Sequence, residues 1–125
     1  EAATFAAHQE LGNLIAVVDL NGLQIDGKVD HVCASGTLAG KFAAFGWEVH
    51  EVNGHDMDAL IELFSDLKAS ETAQPKVVIA HTIKGKGVSF MEDQAGWHGK
   101  APNGEETERA LAELAEARAE LNGVK

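Results

Sequence analysis

The chain has 125 residues, 45% hydrophobic and 24% charged, which is the profile of a globular chain with one core and too few residues for two comfortable domains. A formal net charge of −10 argues against a nucleic-acid binder or a protein that docks on anionic membranes, but leaves room for a phosphorylated cofactor held by local donors and a metal. One cysteine, Cys33, excludes an internal disulfide, and neither a membrane-length apolar run nor a signal peptide is visible, so a cytoplasmic location is expected.

The first residues, Glu1-Ala2-Ala3-Thr4-Phe5-Ala6-Ala7-His8, are already helical in character with no cap before them. The pattern stops near Gly12, as the tail of a helix would. The chain thus opens mid-pattern, and the amino-terminal part of a longer protein is expected upstream. Leu14-Ile15-Ala16-Val17-Val18 is a short apolar run, expected to be a buried strand of a parallel sheet over about 14–19. A glycine-bearing loop follows over about 20–35, long for a strand-to-helix connection and therefore a functional candidate.

Thr37 to Phe45 reads as a helix with Leu38, Phe42 and Phe45 on its apolar stripe. Trp47 to Val52 alternates as a second strand, with Trp47 in the core. Asp56 caps a helix from Met57 to Ala69 that turns Leu60, Ile61, Phe64 and Leu67 inward. Lys76 to Ala80, around Val77-Val78-Ile79, is a third buried strand. His81 to Asn103 is a second long irregular segment. The last helix, Glu105 to Leu121, has an acidic first turn and a Leu111, Leu114, Leu121 stripe.

Helices and strands alternate, which implies an α/β fold: three layers, with a parallel sheet and helices on both faces. The two long loops follow the first and third strands, so both open at the carboxyl edge where ligands of such sheets sit.

Asn21 is the leading metal-ligand candidate there. Its carboxamide oxygen and a following backbone carbonyl are hard ligands that Mg²⁺ or Ca²⁺ accepts, but Mg²⁺ needs six oxygens and a carboxylate must come from elsewhere. Asp19 lies two residues away, and the sequence leaves its direction open. An Asn-Gly turn is the competing reading. His98 stands between Gly96-Trp97 and Gly99 on a loop, where an imidazole could donate to a phosphate oxygen or move a proton; a surface histidine is the alternative. Lys84-Gly85-Lys86-Gly87 resembles a phosphate cradle without P-loop spacing, and a solvated turn fits it as well. His55 reads as a turn or capping residue. His8, His31, His50 and His81 show no cage-like pairing, Cys33 has no partner base, and Trp97 is expected to wall a pocket or an interface.

Three blocks together resemble the transketolase family. The first runs from Glu1-Ala2-Ala3 through Leu11-Gly12-Asn13 into Asp19-Leu20-Asn21-Gly22-Leu23-Gln24-Ile25-Asp26-Gly27. The second is Phe45-Gly46-Trp47 through Val52-Asn53-Gly54-His55-Asp56, and the third is Thr82-Ile83-Lys84-Gly85-Lys86-Gly87 through Gly96-Trp97-His98-Gly99-Lys100-Ala101-Pro102. The wording of the third is most similar to the amino-terminal subunit of split transketolases.

The resemblance implies that residues 1–125 are the carboxyl-terminal part of a thiamine-diphosphate-binding domain. It implies thiamine diphosphate with Mg (or Ca), and transfer of a two-carbon ketol unit from a ketose phosphate to an aldose phosphate in the pentose phosphate pathway. By the same resemblance Asn21 ligates the metal through its side chain and Leu23 through its carbonyl. Ile25 and Ile83 would pack beside the cofactor rings, and His98 would contact the diphosphate, face substrate and act in catalysis. Glu1 matches a dimer-interface glutamate. A pyrimidine-binding domain or subunit, plus a dimeric or higher assembly, are the implied partners. The Gly-Asp-Gly start of the cofactor signature, the family's upstream histidines and its activating glutamate are not in this chain, and Lys28 to Gly36 matches no family pattern. A 1-deoxyxylulose-5-phosphate synthase fragment and a catalytically silent domain are the alternatives; the Gly96-to-Pro102 block favours transketolase over the first.

Overall fold

The structure is a computed structural model that describes residues 1–34 and 36–123. In chain order the elements are α1 (Ala2–His8), β1 (Ile15–Leu20), β2 (Leu23–Gln24), β3 (Gly27–Lys28), α2 (Val29–Val32), α3 (Leu38–Ala44), β4 (Glu48–Asn53), α4 (Met57–Ala69), β5 (Lys76–His81), a 3₁₀ turn at Ala95–Trp97, and α5 (Gly104–Gly123). They fall into two compact units, Glu1–Asn21 with Ser35–Thr82, and Gly22–Ala34 with Ile83–Lys125.

In the first unit the β-branched run Val77-Val78-Ile79 takes the centre of a three-stranded parallel sheet of order β1-β5-β4. A strand flanked on both edges and covered on both faces can be apolar throughout, and residues 76–80 are all buried. Leu20 and Asn53 both stand opposite His81, so the three strands end at one edge. Ala6, Trp47, Val77 and Ile79 form the core, with Ala3 and Ala7 of α1 and Leu38 and Phe42 of α3 packed on it. The Trp47 indole N–H donates to the Ala3 carbonyl at 2.9 Å, and its ring meets Phe42 edge-on with centroids 5.3 Å apart. Ile15, on the strand face opposite Ala16, lines a groove with Leu67 of α4, which places that helix on the other face. The expected layers are therefore present.

Three sequence expectations change here. β1 is not buried on both faces: Ala16, Val18 and Leu20 pack on the core, but Val17, on the opposite face, is 57% exposed. In α4 the inward residues are Leu60, Leu63, Phe64 and Leu67, spaced at i, i+3, i+4 and i+7, whereas Ile61 is exposed. Phe45 lies one residue beyond α3 and is exposed, so it leaves that helix's stripe. The cap at Asp56 is as expected, its Oδ1 accepting the Ala59 N–H at 3.0 Å.

In the second unit, β2 and β3 pair antiparallel through a two-residue link, Ile25-Asp26, and α2 follows directly. This stretch reads as loop in the sequence, because two-residue strands are too short to show a period. Ser35 of that loop lies outside the described residues. The Leu111, Leu114, Leu121 stripe of α5 is exposed, and the buried residue of that helix is Ala110, flanked by half-buried Glu106, Thr107 and Glu113. A mostly polar packed face displaces the leucines because α5 meets a polar loop, as described below.

Candidate cofactor site

At the carboxyl edge of the first unit, Asp19 is the last residue but one of β1 and Thr82 directly follows β5. The Thr82 hydroxyl donates to an Asp19 carboxylate oxygen, and the Thr82 N–H donates to the Leu20 carbonyl at 3.2 Å. Asp19 thus ties two strand ends together. Gly54 lies against them: a Cβ there would sit 2.5 Å from Thr82 Cγ2 and 3.1 Å from Ala80 Cβ, so only glycine fits the turn after β4. His55 is a turn residue as expected, its N–H bonded to Asn53 Oδ1 at 3.0 Å. Asn21, half-buried, is the last residue of this unit before the hairpin. His81 pairs with Glu51 and His50 with Glu48, each at 2.7 Å. Among the described residues no group of three or more His, Cys, Asp or Glu is gathered to hold a metal.

Leu23, Ile25, Ile83 and His98 belong to the second unit. Leu23 stands opposite Lys28 in the hairpin, and Ile25 at its tip is 67% exposed. Ile83, two residues past β5, is 41% exposed. His98 is exposed and directly follows the 3₁₀ turn, its N–H donating to the Ala95 carbonyl at 3.0 Å. A Cβ added at Gly96 or Gly99 would meet nothing within 4 Å.

Lys84-Gly85-Lys86-Gly87 is a turn closed on its own anion. Gly85 has φ +72 and its Cβ would stand 2.6 Å from the Met91 carbonyl oxygen. Glu92 accepts the Gly87 N–H at 3.0 Å and pairs with Lys86 at 3.2 Å, filling the position a phosphate would take in a cradle.

Trp97, half-buried, lines an open pocket of about 360 Å³ with Phe90, Glu105, Glu106 and Arg109, as its sequence position suggested. Its indole N–H donates to the Phe90 carbonyl at 3.1 Å, the two rings meet edge-on at 5.5 Å, and Lys100 Nζ lies 4.0 Å from the indole centroid. Glu106 holds both the Asn103 N–H at 2.8 Å and Lys100 at 3.0 Å. The Asn103 N–H, then Lys100, pull its carboxyl below the ordinary 4.5. Glu113 is lowered likewise, chiefly by the Ser89 N–H and hydroxyl, with Arg109 adding to it. Asn103 and Glu106 bond reciprocally at capping-box spacing and Arg109–Glu113 is an i,i+4 pair, both local signals the sequence reading missed, whereas the Ser89 contacts cross 20 or more residues and leave none. Separately, a groove of about 430 Å³ lies at the amino edge of the first unit's sheet, lined by Gly12, Asn13, Ile15 and Leu67 among others, away from the strand ends that carry Asn21.

The fold places the chain in a class of parallel α/β proteins. It superposes on transketolase from Campylobacter jejuni with a TM-score of 0.82 at 27% identity, over 91% of this chain and 18% of that one. Transketolase from Pichia stipitis, in complex with sedoheptulose-7-phosphate, superposes at 0.81 and 26% identity, over 91% and 17%. The chain belongs to the transketolase thiamine diphosphate binding domain family, whose profile matches residues 1–118. One subunit of the apulose-4-phosphate transketolase of Phocaeicola vulgatus is 40% identical over 116 residues, 93% of this chain and 41% of that protein. Its counterpart in Actinobacillus succinogenes is 42% identical over 114 residues, 91% and 41%. The chain thus spans about two-fifths of these relatives.

An Asn carboxamide and a backbone carbonyl are donors of the type a hard cation accepts, and Ile25 and Ile83 are exposed apolar side chains.

Proposed function

We propose that residues 1–125 form part of the diphosphate-binding domain of an enzyme that moves a two-carbon ketol unit from a ketose phosphate to an aldose phosphate. Within a family that binds thiamine diphosphate, the observation that carries the reading is the exposed pair Ile25 and Ile83, each in a segment that follows the carboxyl end of a parallel strand. When bound, thiamine diphosphate supplies the carbanion-stabilising chemistry of such transfers. This chain's residues bind and orient. Asn21 and the Leu23 carbonyl would hold a divalent cation, Mg²⁺ or Ca²⁺. Ile25 and Ile83 exclude water from the rings. His98, exposed between Trp97 and Gly99, would donate to a diphosphate oxygen and handle a proton on the substrate side.

Relatives that are each one subunit of a transketolase support a second polypeptide that carries the pyrimidine-binding half, with Glu1 at the shared interface of a dimeric or higher assembly. The lone thiol Cys33 and a chemistry that uses soluble sugar phosphates fit a cytoplasmic enzyme of the pentose phosphate pathway. Among the described residues no helix is long and apolar enough to cross a membrane.

Asn21→Ala in the assembled enzyme is expected to abolish metal-dependent thiamine diphosphate binding, read by calorimetry at millimolar Mg²⁺. Unchanged affinity would overturn the ligand assignment. His98→Ala is expected to lower turnover more than cofactor affinity, and equal losses would reduce His98 to a diphosphate anchor.

A further inference from the structure

Ser89, early in the irregular segment before α5, is saturated by two side chains of that helix. Its N–H donates to Glu113 Oε2 at 2.6 Å, and its hydroxyl donates to Glu113 Oε1 at 2.8 Å and accepts from Arg109 Nη2 at 2.8 Å. Arg109 Nε closes the ring on Glu113 Oε1 at 3.0 Å, and its guanidinium lies 4.8 Å from the Phe90 centroid. Phe90 in turn fixes Trp97, through its carbonyl on the indole N–H and through the edge-on ring contact. Trp97 is also held by Lys100, which Glu106 pins to the amino end of α5. His98 is the residue between these two holds. Its own backbone N–H is committed to Ala95, so its Cα follows Trp97.

We infer that α5 is the positioning element for His98, acting through a Glu113–Ser89–Arg109 latch on Phe90 and Trp97. The inference rests on the role proposed for His98 above. The three latch residues act on the peptide that aims His98, and a displacement of about 1 Å in such a group costs up to about a hundredfold in rate. Ion pairs this exposed contribute little to stability. Their consequence is the geometry of one loop.

The test is a double-mutant cycle in the assembled enzyme, with Glu113→Gln and the milder Ser89→Ala, each made with His98 intact and with His98→Ala. With His98 intact, Glu113→Gln should lower kcat about tenfold, with smaller changes in thiamine diphosphate affinity. Ser89→Ala should lower kcat less, since the Ser89 N–H still reaches Glu113. In the His98→Ala background both effects should vanish. Effects that persist there, or none with His98 intact, overturn the latch. If His98→Ala alone leaves turnover unchanged, the reading of His98 fails first. In that case ¹⁹F spectra of 5-fluorotryptophan protein still decide the latch: Glu113→Gln must shift the Trp97 resonance and spare Trp47.

Discussion

Val77, Val78 and Ile79 are sealed from solvent at the centre of the first unit's sheet. In the second unit only Val88 and Ala110 are buried among the described residues. The second unit is marked instead by directed polar contacts: Lys86–Glu92, Lys100–Glu106, Arg109–Glu113, and cations over Phe90 and Trp97. Apolar burial is non-directional and scales with area, so it sets where a backbone sits. Hydrogen bonds and cation–π contacts have geometry, so they set where particular atoms point. A frame built by the first and a candidate site loop held by the second is the division of labour that α/β proteins use when loops carry function.

That contrast predicts unequal responses to damage. The largest effect should come from the frame: Ile79→Ala removes buried volume at the core and should cost about 2–5 kcal/mol in denaturant unfolding followed at Trp47. A loss below about 1 kcal/mol would mean that the sheet is not the stabilising core. Gly54→Val should come next, about 1–3 kcal/mol, because the new side chain meets Thr82 and Ala80. Asp56→Ala should cost about 1 kcal/mol through the lost cap on α4.

The smallest effect on stability and the most selective belongs to the second unit. Glu106 and Glu113 have folded pKa values below the ordinary 4.5, lowered by the Asn103 and Ser89 N–H groups first. A depressed carboxylate stabilises the fold above its unfolded value and loses that contribution as pH falls through the folded one. Acidification below pH 4.5 should therefore disturb the Trp97 resonance before that of Trp47, and Glu106→Gln with Glu113→Gln should remove the early change. Simultaneous loss at both indoles would erase the distinction between the units.

The same contrast decides what the sequence could tell. The bounds of α4 and its cap at Asp56 were legible because a period of 3.6 and a side-chain acceptor leave local marks. Val77-Val78-Ile79 was legible as a buried strand for its composition. Val17 misled because an apolar run does not say whether both faces of its strand are covered, and here only the face of Ala16, Val18 and Leu20 is. Ile61 misled by one position: Leu63 completes the stripe, and only packing separates the two. Of the candidate site, Asn21, Leu23, Ile25, Ile83 and His98 were named from motif words, not from any period. The β2–β3 hairpin, linked by Ile25-Asp26, left no legible signal because its strands are two residues each. Of the Ser89–Glu113–Arg109 latch only the i,i+4 spacing of Arg109 and Glu113 was visible, because Ser89 reaches that helix from irregular backbone 20 or more residues away.

The strand order carries a temporal consequence. β1 and β4 meet only through β5, the last of the three to be synthesised. At about 5–20 residues per second, β1 leaves the ribosome roughly 3–12 s before β5 exists to join it to β4. Until His81 emerges, this sheet has no centre, and the apolar stretch from Leu14 to Val18 waits without its neighbour. Translation speed through residues 54–75 thus becomes a determinant of yield: a pause there prolongs the interval in which a sticky strand is available to a chaperone or to another nascent copy.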